Sequence, residues 1–227
     1  MDGNFDFFSK PKMNGGIKLP VCLILDKSGS MSEKVRSSRG MVVKIDELNN
    51  NIQELFKTIR NDSNAKLMSD ICLIGCGGEQ PEVINGYASV DQITFRPLVA
   101  GGRTPLGASV ELALDLLQKR REYYRSAGIE HYKPIMMIMS DGQPTEVESV
   151  VYNAAQRCSD MVTTEGLKVL PIGVGDSARL DILDMFSPNV KAKCITNMDV
   201  FVKLFEMLSV SMSQSDNTVF DWLNDQV

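Results

Sequence analysis

The sequence predicts an α/β domain built on a doubly wound, mainly parallel sheet flanked by helices. Three observations predict it. Short apolar runs of strand length alternate with stretches of helical periodicity along most of the chain. Pro134-Ile135-Met136-Met137-Ile138-Met139 is continuously apolar, as a central strand covered on both faces requires. Segments rich in hydroxyl groups and glycine follow the strand-like runs, at the carboxyl ends where open α/β sheets bind ligands. A chain of 227 residues, 43% hydrophobic and 23% charged, suits one such domain with a sizeable core.

The elements follow in order. Residues 1–16 read as a flexible lead-in ending in Asn14-Gly15-Gly16, with Phe5, Phe7 and Phe8 able to dock on the domain or on a partner. The domain is expected over 17–212. Its first strand runs from about Leu19 to Leu25. Met41, Ile45, Leu48, Ile52, Leu55, Phe56 and Ile59 recur at spacings of three and four, the stripe of a long helix. Ser69 to Gly75 reads as a second strand, and Glu82–Gly86 with Ile93–Phe95 as extended segments at the sheet edge. Thr104 suits the N-cap and Pro105 the first position of a helix that buries Leu106, Val110, Ala113, Leu114 and Leu117. After the central strand, Thr145-Glu146-Val147-Glu148 reads as a capping box. The helix it opens buries Val147, Val151, Ala154, Ala155, Cys158 and Val162 and ends at Gly166. Leu167 to Gly173 is a further strand. A short helix over Leu180 to Phe186, a strand around Lys191 to Ile195 and a helix over Phe201 to Leu208 complete the domain. Residues 213–227 form a polar, acidic tail carrying Phe220 and Trp222.

Bulk properties exclude several functions. The net charge is −5, and the closest basic cluster, Lys119-Arg120-Arg121 with Arg125, reads as the solvated end of a helix, so no nucleic acid is expected. No apolar run approaches the about 20 residues of a membrane helix. The acidic start, Met1-Asp2-Gly3-Asn4-Phe5, does not read as a signal peptide, and a cytoplasmic location is expected. Five cysteines, with Cys22 and Cys72 inside strand-like runs and Cys194 in a possible third, read as buried free thiols of a reducing compartment. Cys72 and Cys76 lack the second pair that a zinc site needs. The methionines, Met136, Met137 and Met139 among them, read as core filling.

The chemistry lies in three loops. Val21-Cys22-Leu23-Ile24-Leu25 delivers Asp26, Ser28 and Ser30 into a turn at Asp-x-Ser-x-Ser spacing, which Gly29 lets bend tightly. These are hard oxygen donors with no His or Cys among them, so the ion they suit is Mg²⁺, Mn²⁺ or Ca²⁺ rather than Zn²⁺. Ser140-Asp141-Gly142-Gln143-Pro144-Thr145 leaves the carboxyl end of the central strand. Gly101-Gly102-Arg103-Thr104-Pro105-Leu106-Gly107 faces the same edge. Together the loops converge Asp26, Ser28, Ser30, Thr104 and Asp141. Glu79, Gln143 and Glu146 are candidates for the rim. Arg103 either orients an acidic ligand or is a solvated loop residue, and the side chain of Lys27 is expected to point to solvent.

This constellation resembles the metal-ion-dependent adhesion site of the von Willebrand factor A domain family, over roughly residues 18 to 210. Within the family, the Gly-x-Thr-Pro-Leu-Gly and Ser-Asp-Gly-x-Pro-Thr loops look most like the bacterial tellurium-resistance-type TerY-like and YegL-like members. The carboxyl-terminal zinc module of some such proteins is lacking in this sequence. The resemblance implies that Ser28 and Ser30 bind the metal directly. Thr104 would bind directly or through water according to ligand state, and Asp26 and Asp141 directly or through water. It further implies a cytoplasmic role in tellurite resistance, stress response or phage defence, beside kinase and phosphatase partners.

A first shell rich in neutral hydroxyls leaves a dication poorly neutralised, and its open position then favours a carboxylate from a protein partner. The leading expectation is therefore a non-enzymatic, metal-dependent interaction module. Two rivals remain at this level. One is a Mg²⁺-dependent phosphatase or related hydrolase, although Ser28 stands where the haloacid-dehalogenase pattern needs a second Asp. The other is a structural domain with a merely stabilising metal. A serine hydrolase does not fit, because the lone His131 lies in a polar linker. Nor does an ATPase, because no phosphate-binding Gly-x-x-x-x-Gly-Lys loop is present.

Overall fold

In the computed structural model, the structure describes residues 16–37, 40–175 and 177–194. Strands β1 (Leu19–Asp26), β4 (Ser69–Cys76), β5 (Glu82–Ala88), β6 (Ile135–Ser140), β7 (Lys168–Gly173) and β8 (Lys193–Cys194) form one sheet in the order β5-β4-β1-β6-β7-β8. All neighbours pair in parallel except β4 and β5, an antiparallel edge. β1 is central: Leu25 pairs with Gly75 on one side and Met139 on the other. The expected doubly wound α/β architecture is the one observed.

Alternation along β1 explains the layers. Leu19, Val21, Leu23 and Leu25 face a core shared with Ile45, Leu48, Ile52, Leu55, Phe56 and Ile59 of helix α1 (Lys44–Asn61). Cys22 and Ile24 face the opposite core, with α3 (Leu106–Ala127), α4 (Glu148–Glu165) and Leu183 of the short helix α5 (Leu180–Asp184). Successive strand side chains point to opposite faces, so a strand sandwiched between helices must be apolar throughout. All eight residues of β1 are buried.

Several local expectations are corrected. Met41 does not open α1. It lies in an unforeseen antiparallel hairpin, β2 (Lys34–Ser37) with β3 (Gly40–Val43), and is 63% exposed. The hairpin joins the Asp26 loop to α1, and a further short helix, α2 (Ser63–Met68), follows α1. Ile93–Phe95 follows a single 3₁₀ turn over Val90–Gln92 and pairs with no strand. α3 begins at Leu106 rather than Pro105. α4 begins at Glu148 with no side-chain cap, so the expected capping box does not form and Val147 is 68% exposed. The expected lead-in before Gly16, the helix over Phe201 to Leu208 and the tail over 213–227 lie outside the described residues.

Cys22, Cys72, Cys76 and Cys158 are buried free thiols, whereas Cys194 is exposed, contrary to expectation. Burial pushes the Cys158 thiol up to about 12 and that of Cys76 well above its ordinary value. A hydrogen bond with Cys22 and burial raise Cys72 likewise. Thiolate is the reactive form. Native protein should therefore give one prompt equivalent with Ellman's reagent, and the other four only on unfolding. Four or five prompt equivalents would contradict the packing.

At the amino-terminal end of the sheet, Asp70 and Arg120 form a buried ion pair, with Nε to Oδ2 2.5 Å and Nη2 to Oδ1 2.8 Å. The Tyr124 hydroxyl also donates to Asp70, and the Arg120 guanidinium lies over the Tyr87, Tyr123 and Tyr124 rings. Arg120 is thus a core residue and not part of a solvated basic helix end. His131 sits at this end too, its ring centroid 5.1 Å from that of Tyr124, half-buried and remote from the predicted site.

Candidate metal centre

Asp26 is the last residue of β1, and the chain turns at once into a 3₁₀ turn over Gly29–Ser32. The carboxylate organises that turn. Its Oδ1 accepts the Ser28 amide at 2.8 Å, and Ser28 Oγ lies 3.1 Å from Ser30 Oγ. Its Oδ2 accepts the Ser140 hydroxyl, which itself accepts the Gly142 amide at 3.0 Å. Ser140 thus links the first and third loops, a role its neighbour Asp141 had overshadowed in the sequence.

The second loop is stitched to both others. The Gly29 amide donates to the Gly102 carbonyl at 3.0 Å, and the Gly101 amide to the Lys27 carbonyl at 2.8 Å. Gly102 has φ +76°, and a Cβ there would lie 2.6 Å from Gly78 Cα, so only glycine permits this approach. Thr104 and Thr145 exchange bonds: the Thr104 amide donates to Thr145 Oγ1 at 3.0 Å and the Thr145 amide to the Thr104 carbonyl at 3.1 Å. Buried Asn49 of α1 holds Leu98 through two backbone bonds of 2.9 and 2.7 Å, anchoring the approach to this loop.

Each predicted site residue is therefore placed at the carboxyl edge of the sheet, on three loops bonded to one another. Asp26, Ser28, Thr104 and Asp141 are buried; Ser30 is half-buried and marks the mouth. The rim residues differ from expectation. The Glu146 carboxylate accepts the Gly107 and Ala108 amides at 2.6 and 3.0 Å, capping α3 from another loop. Thr104 is accordingly not needed as the N-cap and keeps its hydroxyl available. Lys27 does not point to solvent: its stem crosses Gly75 and Gly77 and its ammonium meets Glu82 at 2.7 Å. Arg103 is exposed and donates to the Thr145 carbonyl at 3.0 Å, with Glu79 at 4.0 Å. Gln143 is exposed, and its amide donates to Asp141 Oδ1 at 3.3 Å.

Two buried carboxylates, Asp26 and Asp141, dominate the electrostatics of these loops. Burial holds the Asp26 carboxyl above its ordinary value, partly offset by the bonds from Ser140 and Ser28, and the nearby Asp141 adds to the rise. An acid with a raised folded value destabilises the fold as pH climbs through it, because ionisation is easier in the unfolded chain. A bound cation would remove that penalty. Asp141 Oδ2 is buried and accepts no hydrogen bond among the described residues. A buried anionic oxygen without a donor is costly unless something charged meets it, and the buried Lys44 ammonium lies 3.7 Å from this one. Two carboxylates, two serine hydroxyls and a threonine hydroxyl form an oxygen set that fits a hard divalent cation. Among the described residues no cluster of three His, Cys, Asp or Glu side chains offers a different kind of metal site.

No protein-family model and no curated protein matches the chain. Solved structures do. The PilB minor pilin of Streptococcus sanguinis is 14% identical over 89% of this chain, with a TM-score of 0.61; the chain spans 63% of that protein's length. The vWF domain of the type V pili tip protein Mfa5 from Porphyromonas gingivalis is 10% identical, with a TM-score of 0.55, over 87% of this chain and 95% of its own. The manganese-loaded TRAP protein of Plasmodium vivax is 15% identical, with a TM-score of 0.54, over 82% of this chain and 71% of its own. Element order, the β1-centred parallel sheet and these likenesses converge on one conclusion: this chain has the von Willebrand factor A fold.

Proposed function

We propose that this domain holds a divalent cation through Asp26, Ser28, Ser30, Thr104 and Asp141 and uses it to engage a carboxylate of a protein partner. The observation that carries the reading is the buried, bond-stitched oxygen cradle in which Asp141 Oδ2 lacks a donor. Once bound, the cation supplies a Lewis-acidic position open to an anionic oxygen. Ser28 and Ser30 present hydroxyls, Asp26 and Asp141 supply charge, and Thr104 stands on a loop locked by Thr145. Mg²⁺, Mn²⁺ and Ca²⁺ all suit this donor set. The manganese in the similar TRAP structure supports a dication of this kind.

The domain works as a binding module rather than an enzyme. Ser28 occupies the position where a phosphatase of this architecture places its second Asp, and His131 lies at the opposite end of the sheet. The loop motifs Gly101–Gly107 and Ser140–Thr145 support a TerY-like setting: a cytoplasmic, bacterial stress or tellurite-resistance system with kinase or phosphatase neighbours. Five free cysteines accord with a reducing compartment.

Isothermal titration of Mg²⁺ and Mn²⁺ into metal-stripped protein tests the reading, beside a variant carrying Ser28→Ala and Ser30→Ala. Binding to wild type and its loss in the variant are expected, together with metal-dependent capture of a carboxylate-bearing peptide. Binding that raises the melting temperature but recruits no carboxylate ligand would reduce the metal to a structural role. Steady phosphatase turnover abolished by Asp26→Asn would restore the enzymatic reading.

A further inference from the structure

Lys44, the first residue of α1, is 1% exposed. Its ammonium lies 2.9 Å from Glu33 Oε2 and 3.7 Å from Asp141 Oδ2, the carboxylate oxygen with no hydrogen-bond donor. A buried lysine is rare and needs a charge partner. Its position is built rather than incidental. The Lys44 amide donates to the Glu33 carbonyl at 3.0 Å, closing the base of the hairpin. Its stem packs against Gly175, where an added Cβ would lie 2.9 Å from Lys44 Cε. Glu33, by contrast, is 62% exposed.

We infer that Lys44 is a resident counter-charge of the cation site, which lies beside Asp141 and, held back by Glu33, sets how tightly the cation binds. The inference rests on the metal-site reading above. A fixed ammonium beside Asp141 repels an arriving dication and competes for the same oxygen. With the cation in place, the buried charges of Asp26, Asp141, Lys44 and the ion leave one net positive charge. Cation affinity is lowered and affinity for an incoming carboxylate is raised, so the ion binds firmly only together with its anionic ligand. Glu33 draws the ammonium from Asp141 toward solvent and weakens that competition.

Two variants of opposite sign test this. Lys44→Met keeps the stem and removes the charge; Mn²⁺ affinity by titration should tighten by about tenfold. Glu33→Gln keeps a neutral acceptor for the ammonium but removes the charge that draws it from Asp141, and should loosen Mn²⁺ several-fold; the double variant should match Lys44→Met. Thermal melting of each metal-free protein reports folding. Wild-type binding with affinity unchanged in both variants, or weakened in folded Lys44→Met, overturns the role of Lys44 while leaving the metal site standing. Absence of Mn²⁺ binding from wild type and Lys44→Met alike overturns both. Should Lys44→Met fail to fold, Glu33→Gln decides: loosened binding supports the counter-charge and unchanged binding refutes it.

Discussion

Replacing Asp26 by Asn should weaken Mn²⁺ or Mg²⁺ binding by about 100-fold or more, because a carboxylate–dication interaction is lost inside a buried site where solvent screens little. The substitution preserves shape. The Asn side-chain carbonyl can still accept the Ser28 amide that Asp26 Oδ1 accepts at 2.8 Å. Burial raises the proton affinity of Asp26, so the neutral amide also escapes an ionisation penalty borne by the metal-free wild type at neutral pH. The metal-free variant escapes that penalty but loses the bond that Asp26 Oδ2 accepts from the Ser140 hydroxyl, so it should melt within a few degrees of wild type. The two proteins should separate only when metal is added. At a cation concentration about 100 times the dissociation constant, wild type gains about 2.7 kcal/mol, or roughly 5–10 °C for a domain of this size. The variant should gain almost nothing. An equal metal-induced shift in both proteins would exclude Asp26 from the site.

The largest effect on stability should come from the other end of the sheet. Arg120→Met leaves the Asp70 carboxylate buried without the guanidinium that donates to both of its oxygens. Breaking a buried pair from one side costs about 3–5 kcal/mol, a fall of roughly 6–20 °C here. Tyr124 and Lys18 provide only partial compensation. The Tyr124 hydroxyl already donates to Asp70 and is held above its usual range by burial, while the Lys18 ammonium is committed to the Leu67 carbonyl. Adding Asp70→Asn to Arg120→Met should recover part of the loss, since removing both charges is cheaper than orphaning one. Pro20 pairs with Asp70 and Asp26 with Cys76, which separates this network from the proposed cation site by six strand residues, about 20 Å. Metal affinity should therefore be unchanged in Arg120→Met. A destabilisation below about 1 kcal/mol, within the range of ordinary surface substitutions and weak hydrogen bonds, would show that the pair contributes little.

The sequence by itself determined the architecture and the sheet edge at which the candidate site residues gather. β1 and β6 are continuous apolar runs, and α1 repeats its apolar residues at helical spacing; both are one-dimensional signals that burial on two faces, or on one stripe, imposes directly. The loops that bring Asp26, Ser28, Ser30, Thr104 and Asp141 to one edge were legible for the same reason, since strand ends in a parallel sheet share a side. The pairing of β2 with β3 was not legible, because Met41, Val42 and Val43 run into the apolar pattern of α1 and mimic its first turn.

Only the tertiary structure decided what the charges do. Thr145 and Glu146 carry the sequence signature of a helix start, yet they bind Thr104 and the amides of Gly107 and Ala108 instead. Arg120 reads as one of a solvated basic group and is a core cation 50 residues from its partner. Lys44 shows in sequence only as a lysine between Val43 and Ile45, and its meeting with Asp141 depends on the start of α1 lying against the loop that follows β6. Periodicity reports which face of an element is buried. It cannot report which distant polar group shares that burial, because partners far apart in the chain are chosen by sheet order and loop path rather than by local spacing.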